Sequence, residues 1–302
     1  MQSNSLKGKK KSVALVLSSG GARGLAHIAV IEELEARGYE ITSIAGSSMG
    51  AVVGAFYACG QLDVYKAWAL QLDPWSVLKL MDFTISSYGF VRGRKVFKTL
   101  ESFIPDVDIQ DMRIPFVAVA TDMHKGKEVT FKKGSMYRAL KASASIPTVV
   151  TPSQRKGRIL VDGGVMTPIP VEFVKRKKKD LLVICNVNGS QPYKKPVGQQ
   201  PPSKAYTDQL QKVKATWEKF FPANGPSQGH KKMGYLDIMT KTVDLMQDKL
   251  TQLFIAQYHP DLFIEVSRDV GGVFDFHKAE EIIEEGRREF AKAFEASEIN
   301  QN

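Results

Sequence analysis

One serine in the chain stands in a pattern typical of a nucleophile. Ser48 lies between Gly46 and Gly50 in "AGSSMGA" (45–51), and such a G-x-S-x-G pattern often places a serine in a tight turn from a strand to a helix. Residues 40–46 predict the strand, and residues 49–60 predict a helix rich in small side chains. Ser48 would then lie at the positive end of that helix dipole, which favours an anionic intermediate. The same pattern also occurs in turns without function, so Ser48 needs partners.

A glycine-rich turn, "SSGGARG" (18–24), is the candidate source of hydrogen-bond donors. It follows a short apolar strand and opens a helix, so the backbone amides of Gly20, Gly21 and Ala22 can point to one spot and bind an oxyanion. Arg23 adds a cation to the same turn. The alternatives are a phosphate-binding turn and a tight turn without a ligand.

The proton of Ser48 needs an acceptor. A Ser-His-Asp arrangement would need a histidine, and none of the five stands in a favourable context: His27, His124, His230, His259 and His277. Asp162 in "RILVDGGVMTPIP" is the better candidate, because a strand that ends in Asp-Gly-Gly presents a carboxylate on a backbone that can turn sharply. Partial burial would raise its pKa toward that of a useful base. An ordinary turn is the alternative interpretation of these residues.

The elements that must position these side chains alternate between strands and helices. Short apolar runs predict strands at 12–17, 40–46, 115–121, 127–131, 158–161, 181–187 and 262–267, and helical spacing predicts helices after residue 24 and at 49–60, 134–144 and 277–296. This order predicts one α/β domain over 12–296 with a mostly parallel sheet. We expect a flexible basic N-terminus at 1–11 and mobile polar connectors at 188–205 and 222–233.

Two further helical stretches carry apolar stripes. One stripe comprises Tyr206, Leu210, Val213, Trp217 and Phe220, and the other Leu236, Met239, Val243, Met246, Leu250 and Leu253. Core packing is the first interpretation of both, and a homodimer contact is the alternative. The helix at 204–221 also places Trp217, Phe220 and Phe221 beside Lys212, Lys214 and Lys219, which indicates contact with an anionic membrane.

The charge balance limits the classes of partner. Lys and Arg number 42 against 32 Asp and Glu, a net charge of +10 that favours anionic partners. The basic run "KRKKK" (175–179) follows an apparent helix at 170–174, so it is either a solvated helix end or a binding patch. The sequence contains no nucleic-acid motif, no metal-ligand spacing and no apolar run long enough for a bilayer. Cys59 and Cys185 lie in apolar contexts, as expected for reduced thiols of a cytoplasmic protein.

Taken together, four segments resemble the bacterial branch of the patatin-like phospholipases. They are "SSGGARGLAHI" (18–28), "GSSMGA" (46–51), "ALKASASIPTVVTP" (139–152) and "VDGGVMTPIPV" (161–171). The resemblance implies a three-layer α/β/α fold and a serine acyl hydrolase with a Ser–Asp dyad that needs no metal or organic cofactor. Ser48 would be the nucleophile, Asp162 its sole partner, and Gly20, Gly21 and Ala22 the oxyanion hole. Arg23 would hold that loop or a substrate phosphate, with Gly46, Gly50 and Gly163 in supporting positions.

The "ASASIP" segment and the glycine turn add two details to this resemblance. Ser145 and Pro147 match a structural motif beside the site. Ser19 stands where the family usually has the first of three glycines. If that position required a positive φ, the serine would be strained by about 1 kcal/mol or more. We expect an unstrained backbone there and an intact oxyanion loop.

The expected function is lipid acyl hydrolysis of the phospholipase A, lysophospholipase or carboxylesterase type, in the cytoplasm or at the inner membrane surface. The alternatives are a Ser-His-Asp esterase, an acyltransferase, and a non-catalytic lipid- or phosphate-binding protein. The apolar stretch 74–90, with Trp75, Leu78 and Phe83, and the region 188–233 are predicted to form walls or lids of an acyl-chain channel.

Overall fold

A computed structural model describes residues 11–86, 89–147, 149–155, 157–195, 204–220 and 235–297. Its strands are β1 (Ser12–Leu17), β2 (Glu40–Ser47), β3 (Phe83–Ser86), β4 (Gly89–Val91), β5 (Phe116–Asp122), β6 (Lys127–Phe131), β7 (Ser153–Arg155), β8 (Arg158–Asp162), β9 (Leu181–Gly189) and β10 (Leu262–Ser267). Its α-helices are α1 (Ala26–Ala36), α2 (Met49–Ala58), α3 (Leu62–Leu70), α4 (Pro74–Leu80), α5 (Arg94–Glu101), α6 (Met136–Ser143), α7 (Lys204–Phe220), α8 (Tyr235–Tyr258) and α9 (Ala279–Glu295). All seven predicted strands are therefore present.

The main sheet has the order β10-β9-β1-β2-β5-β8-β7, and β6 pairs with β5 outside this path. The five strands from β10 to β5 run parallel, whereas β6, β7 and β8 are antiparallel to their neighbours. The central strand β1 is apolar from Val13 to Leu17 and buried throughout that run, as a strand covered on both faces must be.

One edge of β5 is shared by two strands that meet end to end. The last residue of β2, Ser47, pairs with Val119, and the last residue of β8, Asp162, pairs with the next residue of β5, Ala120. β2 is parallel to β5 and β8 is antiparallel to it, so the two strands point toward each other. This register brings the residues after β2 next to the end of β8, although they lie far apart in sequence.

Apolar side chains cover both faces of the sheet, which gives the three-layer α/β/α architecture. The larger cluster includes residues of α1, α2, α6 and α9, and it contains the fully buried Leu15, Phe56 and Phe290. On the other face, a smaller cluster around Val16 and Ile184 is covered by the segment 169–174 and by Phe254 and Tyr258 of α8. No helix in the described part of the chain is long and apolar enough to cross a membrane.

The predicted helix at 170–174 is wrong. Only one 3-10 turn, Val171–Phe173, forms there, so the basic run 175–179 has no α-helix dipole to complement. The run instead leads into the start of β9, where Asp180 accepts hydrogen bonds from Ser12 and Thr42 at the beginnings of β1 and β2. The run is solvent-exposed and lies at the end of the sheet where the parallel strands begin.

The interpretation of the stripe 236–253 as core packing is also wrong for the side chains that the structure describes. Val243, Met246 and Leu253 are exposed, and Leu250 is half-buried. Leu236 and Met239 have side chains outside the described set. On α7 the described stripe residues Tyr206, Leu210 and Val213 are half-buried, on a helix that contacts α4. The side chains of Trp217 and Phe220, together with Phe221, lie outside the described residues.

The predicted connectors overlap only partly with the described chain. β9 extends to Gly189 and α7 begins at Lys204, so the ends of 188–205 belong to regular elements. The segments 196–203 and 221–234, and with them the whole of the predicted connector 222–233, lie outside the described residues, as do 1–10 of the predicted flexible N-terminus.

Candidate active site

Ser48 occupies the predicted turn between β2 and α2. Its backbone has φ 53° and ψ −122°, and outside glycine only Ser48 and His259 have a positive φ in the described chain. Such a conformation costs free energy and is typical of a functional turn. Gly46 and Gly50 permit it: a Cβ on Gly46 would collide with the Gly50 backbone, and a Cβ on Gly50 would collide with the carbonyl groups of Leu17 and Ser18.

The Ser48 hydroxyl lies against Asp162. Its Oγ donates a hydrogen bond to Asp162 Oδ2 over 2.5 Å, and the other carboxylate oxygen accepts one from the Gly164 amide over 2.7 Å. The Asp162 amide in turn donates to the Ser145 carbonyl over 2.9 Å. Gly163 is required beside this pair, since a Cβ there would collide with the Val119 carbonyl and the Ser47 hydroxyl. The two predicted catalytic residues are thus brought together.

Burial sets the basicity of the Asp162 carboxylate. The residue is 5% exposed, and burial raises its pKa from 3.8 to about 6, while the hydrogen bonds from Ser48 and Gly164 act in the opposite direction. The carboxylate is therefore ionised at neutral pH and more basic than an exposed one. It can accept a proton from Ser48 without a second base.

Two of the three predicted donors of the glycine turn are free to bind an oxyanion. In the described chain the amides of Gly20 and Gly21 have no hydrogen-bond partner, and Gly21 shares a cavity wall with Ser48. The prediction that Ala22 supplies a third free amide is wrong for this structure, because that amide donates to the Val273 carbonyl over 2.8 Å. Sequence reasoning could not find this bond, since Val273 lies about 250 residues further along the chain.

Arg23 and Ser19 flank these donors. Arg23 is 8% exposed, and its Nε donates to the Gly20 carbonyl over 3.0 Å. The guanidinium therefore holds the loop rather than presenting a cation to solvent. Ser19 has no positive φ, so the serine in the usual glycine position adds no backbone strain. Its buried hydroxyl has no hydrogen-bond partner in the described chain and lies beside Gly164.

No histidine in the described chain hydrogen-bonds to Ser48 or Asp162. His27 is buried near the glycine turn, where one ring nitrogen lies 3.0 Å from the Ser18 carbonyl oxygen. Burial lowers the pKa of His27 to about 4. His124 and His259 are exposed, and His277 lies near the Tyr206 ring. His230 lies outside the described residues.

Sequence reasoning missed the role of Ser143. Its hydroxyl donates a hydrogen bond to the Val119 carbonyl over 2.6 Å and accepts one from the Ser48 amide over 3.0 Å. Ser143 therefore connects the turn at Ser48 to β5. The signal was present in "ASASIP", but the first serine of this segment looks like any helix residue. Ser145 and Pro147, the two residues singled out in it, follow the end of α6, and Ser145 contributes its backbone carbonyl to Asp162.

An apolar cavity of about 150 Å³ adjoins Ser48. Its walls come from α2 to α5, from the segment after α6 and from 273–276, and they include Val52, Trp68, Leu72, Val77, Leu80, Met81, Val91, Val96, Phe97, Leu100, Ile146, Val150 and Phe274. The predicted wall at 74–90 contributes Val77, Leu80 and Met81. Trp75, Leu78 and Phe83, which the sequence singled out, do not line the cavity.

Comparisons with known proteins identify the family of the chain. Residues 15–175 match the family described as Patatin-like phospholipase. An uncharacterized NTE family protein of Mycobacterium tuberculosis is 35% identical over 95% of this chain and 92% of its own length. Neuropathy target esterase sws of Drosophila melanogaster is 29% identical over 54% of this chain and 12% of its own. VipD from Legionella pneumophila superposes with a TM-score of 0.49 and 13% identity over 95% of this chain and 67% of that chain. The chain belongs to the patatin-like phospholipase family.

Proposed function

We propose that the protein hydrolyses lipid acyl esters through an acyl-enzyme on Ser48, with Asp162 as the only general base. Membership of the patatin-like phospholipase family supports lipid hydrolysis at the level of the family. The observation that carries the finer proposal is the 2.5 Å hydrogen bond from Ser48 Oγ to the buried carboxylate of Asp162.

In each turnover Asp162 accepts a proton twice and returns it twice. Ser48 Oγ attacks the ester carbonyl carbon while its proton passes to Asp162, and the resulting oxyanion accepts hydrogen bonds from the amides of Gly20 and Gly21. When the tetrahedral intermediate collapses, the C–O bond to the leaving alcohol breaks and Asp162 returns the proton to that oxygen. Water then attacks the acyl-enzyme, gives its proton to Asp162 and releases the acid, and Ser48 regains its hydrogen.

The apolar cavity is suited to the acyl chain. Its walls are almost entirely aliphatic and aromatic, so a hydrocarbon chain would replace water there favourably. A polar ester substrate without such a chain would gain nothing from this cavity. The substrate class is therefore an ester with a fatty acyl group.

Hydrolysis of a panel of acyl esters by the wild type, Ser48→Ala and Asp162→Asn tests the dyad. Both variants should lose about 10⁴-fold in kcat. Equal activity of Asp162→Asn and the wild type would contradict the role of Asp162 as base. Loss of activity in a single histidine variant, with Asp162→Asn active, would favour the Ser-His-Asp alternative, and a folded wild type without any hydrolysis would favour a non-catalytic binder.

A second experiment tests the cavity. Val96→Phe adds volume to a cavity wall and should shift the preference toward shorter acyl chains without loss of activity on the shortest ester. The matched control is Val64→Phe, because Val64 lies on α3 outside the cavity and is 42% exposed. An unchanged chain-length preference in Val96→Phe would show that this cavity does not bind the acyl chain.

A further inference from the structure

Helix α8 has its polar side toward the protein and an apolar side toward solvent. Asp244, Gln247 and Asp248 are partly buried, whereas the large apolar residues of the other side are half exposed or more. The exposed fractions are 50% for Ile238, 56% for Leu245, 55% for Met246 and 54% for Leu253. At helical spacing these four share one face, which we call the outer face of α8.

The polar side attaches α8 to the catalytic loops. Gln247 Nε2 donates to the Gly164 carbonyl over 2.9 Å, two residues from the catalytic carboxylate. Asp248 forms an ion pair with Arg268, and the charge of Asp244 acts on the buried guanidinium of Arg23.

The C-terminal part of α8 is fixed to the sheet. Phe254 and Tyr258 pack on the apolar cluster around Val16. Rotation of α8 to bury its outer face would break these contacts together with the polar ones of Gln247 and Asp248. The exposure of the outer face is therefore a property of the fold.

The charge on this face indicates its partner. Lys241 and Lys249 are exposed among the apolar residues, and the two carboxylates of residues 241–258, Asp244 and Asp248, belong to the inner side. Within residues 241–258, an apolar stripe with lysines whose two carboxylates lie on the inner side is complementary to a membrane surface that carries anionic headgroups. A protein partner would need acidic groups of its own to match these lysines.

The position of α8 agrees with such a partner. Its inner side touches the Asp162 loop, so the helix that carries the outer face borders the Ser48–Asp162 pair. The densest basic run, 175–179, lies at the opposite edge of the sheet, where the parallel strands begin. A membrane held by that run would be far from Ser48.

We propose that the outer face of α8 docks on an anionic lipid–water interface and brings the Asp162 loop, which the inner side of α8 contacts, close to it. Docking itself does not depend on catalysis. A role of this docking in substrate access rests on the proposed acyl hydrolase function, because such an enzyme would take its lipid substrate from the interface.

Vesicle co-sedimentation tests the docking. Vesicles of phosphatidylcholine, with and without one third phosphatidylglycerol, are mixed with the wild type and with the triple variant Leu245→Ser, Met246→Ser, Leu253→Ser. The matched control is Val64→Ser, Leu70→Ser, Met123→Ser, whose exposed fractions of 42%, 46% and 55% are similar but which lie away from α8. Light scattering gives the molar mass of each protein in solution.

We expect the α8 triple variant to bind anionic vesicles about tenfold more weakly or worse, and the control to bind like the wild type. Lys241→Glu with Lys249→Glu should weaken binding to the anionic vesicles, and added salt should reduce the difference. Ser48→Ala should bind like the wild type. The α8 triple variant should hydrolyse a soluble short-chain ester normally and a vesicle-borne lipid slowly.

Equal vesicle binding by the α8 triple variant and the wild type would overturn the proposal. A lower molar mass of the α8 variant together with unchanged vesicle binding would overturn it in favour of a second copy of the chain. If the wild type hydrolysed no ester but the α8 variant still lost vesicle binding, the proposed function would fail and the docking would stand.

Discussion

Helices α2 and α8 both border the proposed catalytic residues, Ser48 and Asp162, but they contact the rest of the protein through opposite kinds of surface. α2 begins directly after Ser48 and is almost completely buried, with glycines where it meets β1 and β2. α8 touches the Asp162 loop through the amide of Gln247 and leaves large apolar side chains exposed. The proposed nucleophile is thus fixed by close packing, whereas α8 is held at the Asp162 loop by polar contacts and packs on the sheet only further along, through Phe254 and Tyr258. Substitutions on the two helices should differ accordingly.

The largest effect is expected at the contact of α2 with β1. Gly50→Ala would place a methyl group against the carbonyl groups of Leu17 and Ser18, which are backbone atoms at the end of the central strand and directly after it, and they cannot move away at low energetic cost. We expect a loss of about 3 kcal/mol or more in the free energy of unfolding, measured by chemical denaturation. A change below about 0.5 kcal/mol would mean that α2 is not packed as closely as described.

The next effect concerns the charge that the fold keeps buried. The ordinary pKa of an aspartate side chain is 3.8, and the pKa of Asp162 in the folded protein is about 6. Between pH 3.8 and pH 6 the folded state therefore binds more protons than the unfolded state. This group therefore lowers the free energy of unfolding as pH rises from about 4 to 6, by up to about 3 kcal/mol. Asp162→Asn removes the charge and should unfold at a higher temperature than the wild type at pH 7.5.

Calorimetry across pH checks this prediction. The stability advantage of Asp162→Asn should shrink as pH falls and disappear below about pH 4. An Asn variant that is less stable than the wild type at pH 7.5 would show that the carboxylate stabilises the fold.

The same titration of Asp162 predicts that kcat/KM falls below about pH 6, because the protonated carboxyl cannot accept the Ser48 proton.

A smaller effect is expected from the backbone of Ser48. Its φ of 53° is unfavourable for any residue with a Cβ, so Ser48→Gly should be about 1 kcal/mol more stable than Ser48→Ala. Both variants lack the hydroxyl, so the difference between their free energies of unfolding reports the cost of the positive φ. Thermal denaturation of the two variants measures it, and equal stability would argue against strain at this turn.

The smallest effect is expected on the outer face of α8. Leu245→Ser and Met246→Ser remove side chains that are 56% and 55% exposed, so each should change the free energy of unfolding by less than about 0.5 kcal/mol. Denaturation of the single variants measures this. A loss of 2 kcal/mol would show that another part of the chain covers this face.

The local part of the site could be predicted from the sequence, because each motif reports a local backbone requirement. Gly46 and Gly50 predict the turn at Ser48, and the Asp-Gly-Gly segment predicts a carboxylate at a strand end. Their meeting depends on β2 and β8 sharing one edge of β5, which no local pattern reports. The residues alone named Asp162 as a candidate acceptor with an ordinary turn as the alternative, and the family resemblance then favoured the pair.

Long-range contacts account for the wrong predictions. The amide of Ala22 is used by Val273, and no property of the glycine turn indicates this. For α8, the spacing of Val243, Met246 and Leu253 predicted a helix correctly, but periodicity does not tell which side is inside. Gln247 and Asp248 face inward because the loops around Gly164 and Arg268 offer polar partners.

The most direct test of the account is covalent labelling by an organophosphonate, followed by intact-protein and peptide mass spectrometry. We expect one adduct on Ser48 in the wild type, none in Ser48→Ala, strongly slowed labelling in Asp162→Asn and normal labelling in His27→Ala with unchanged fold. Rapid labelling of Asp162→Asn, or an adduct on a residue other than Ser48, would contradict the Ser48–Asp162 dyad.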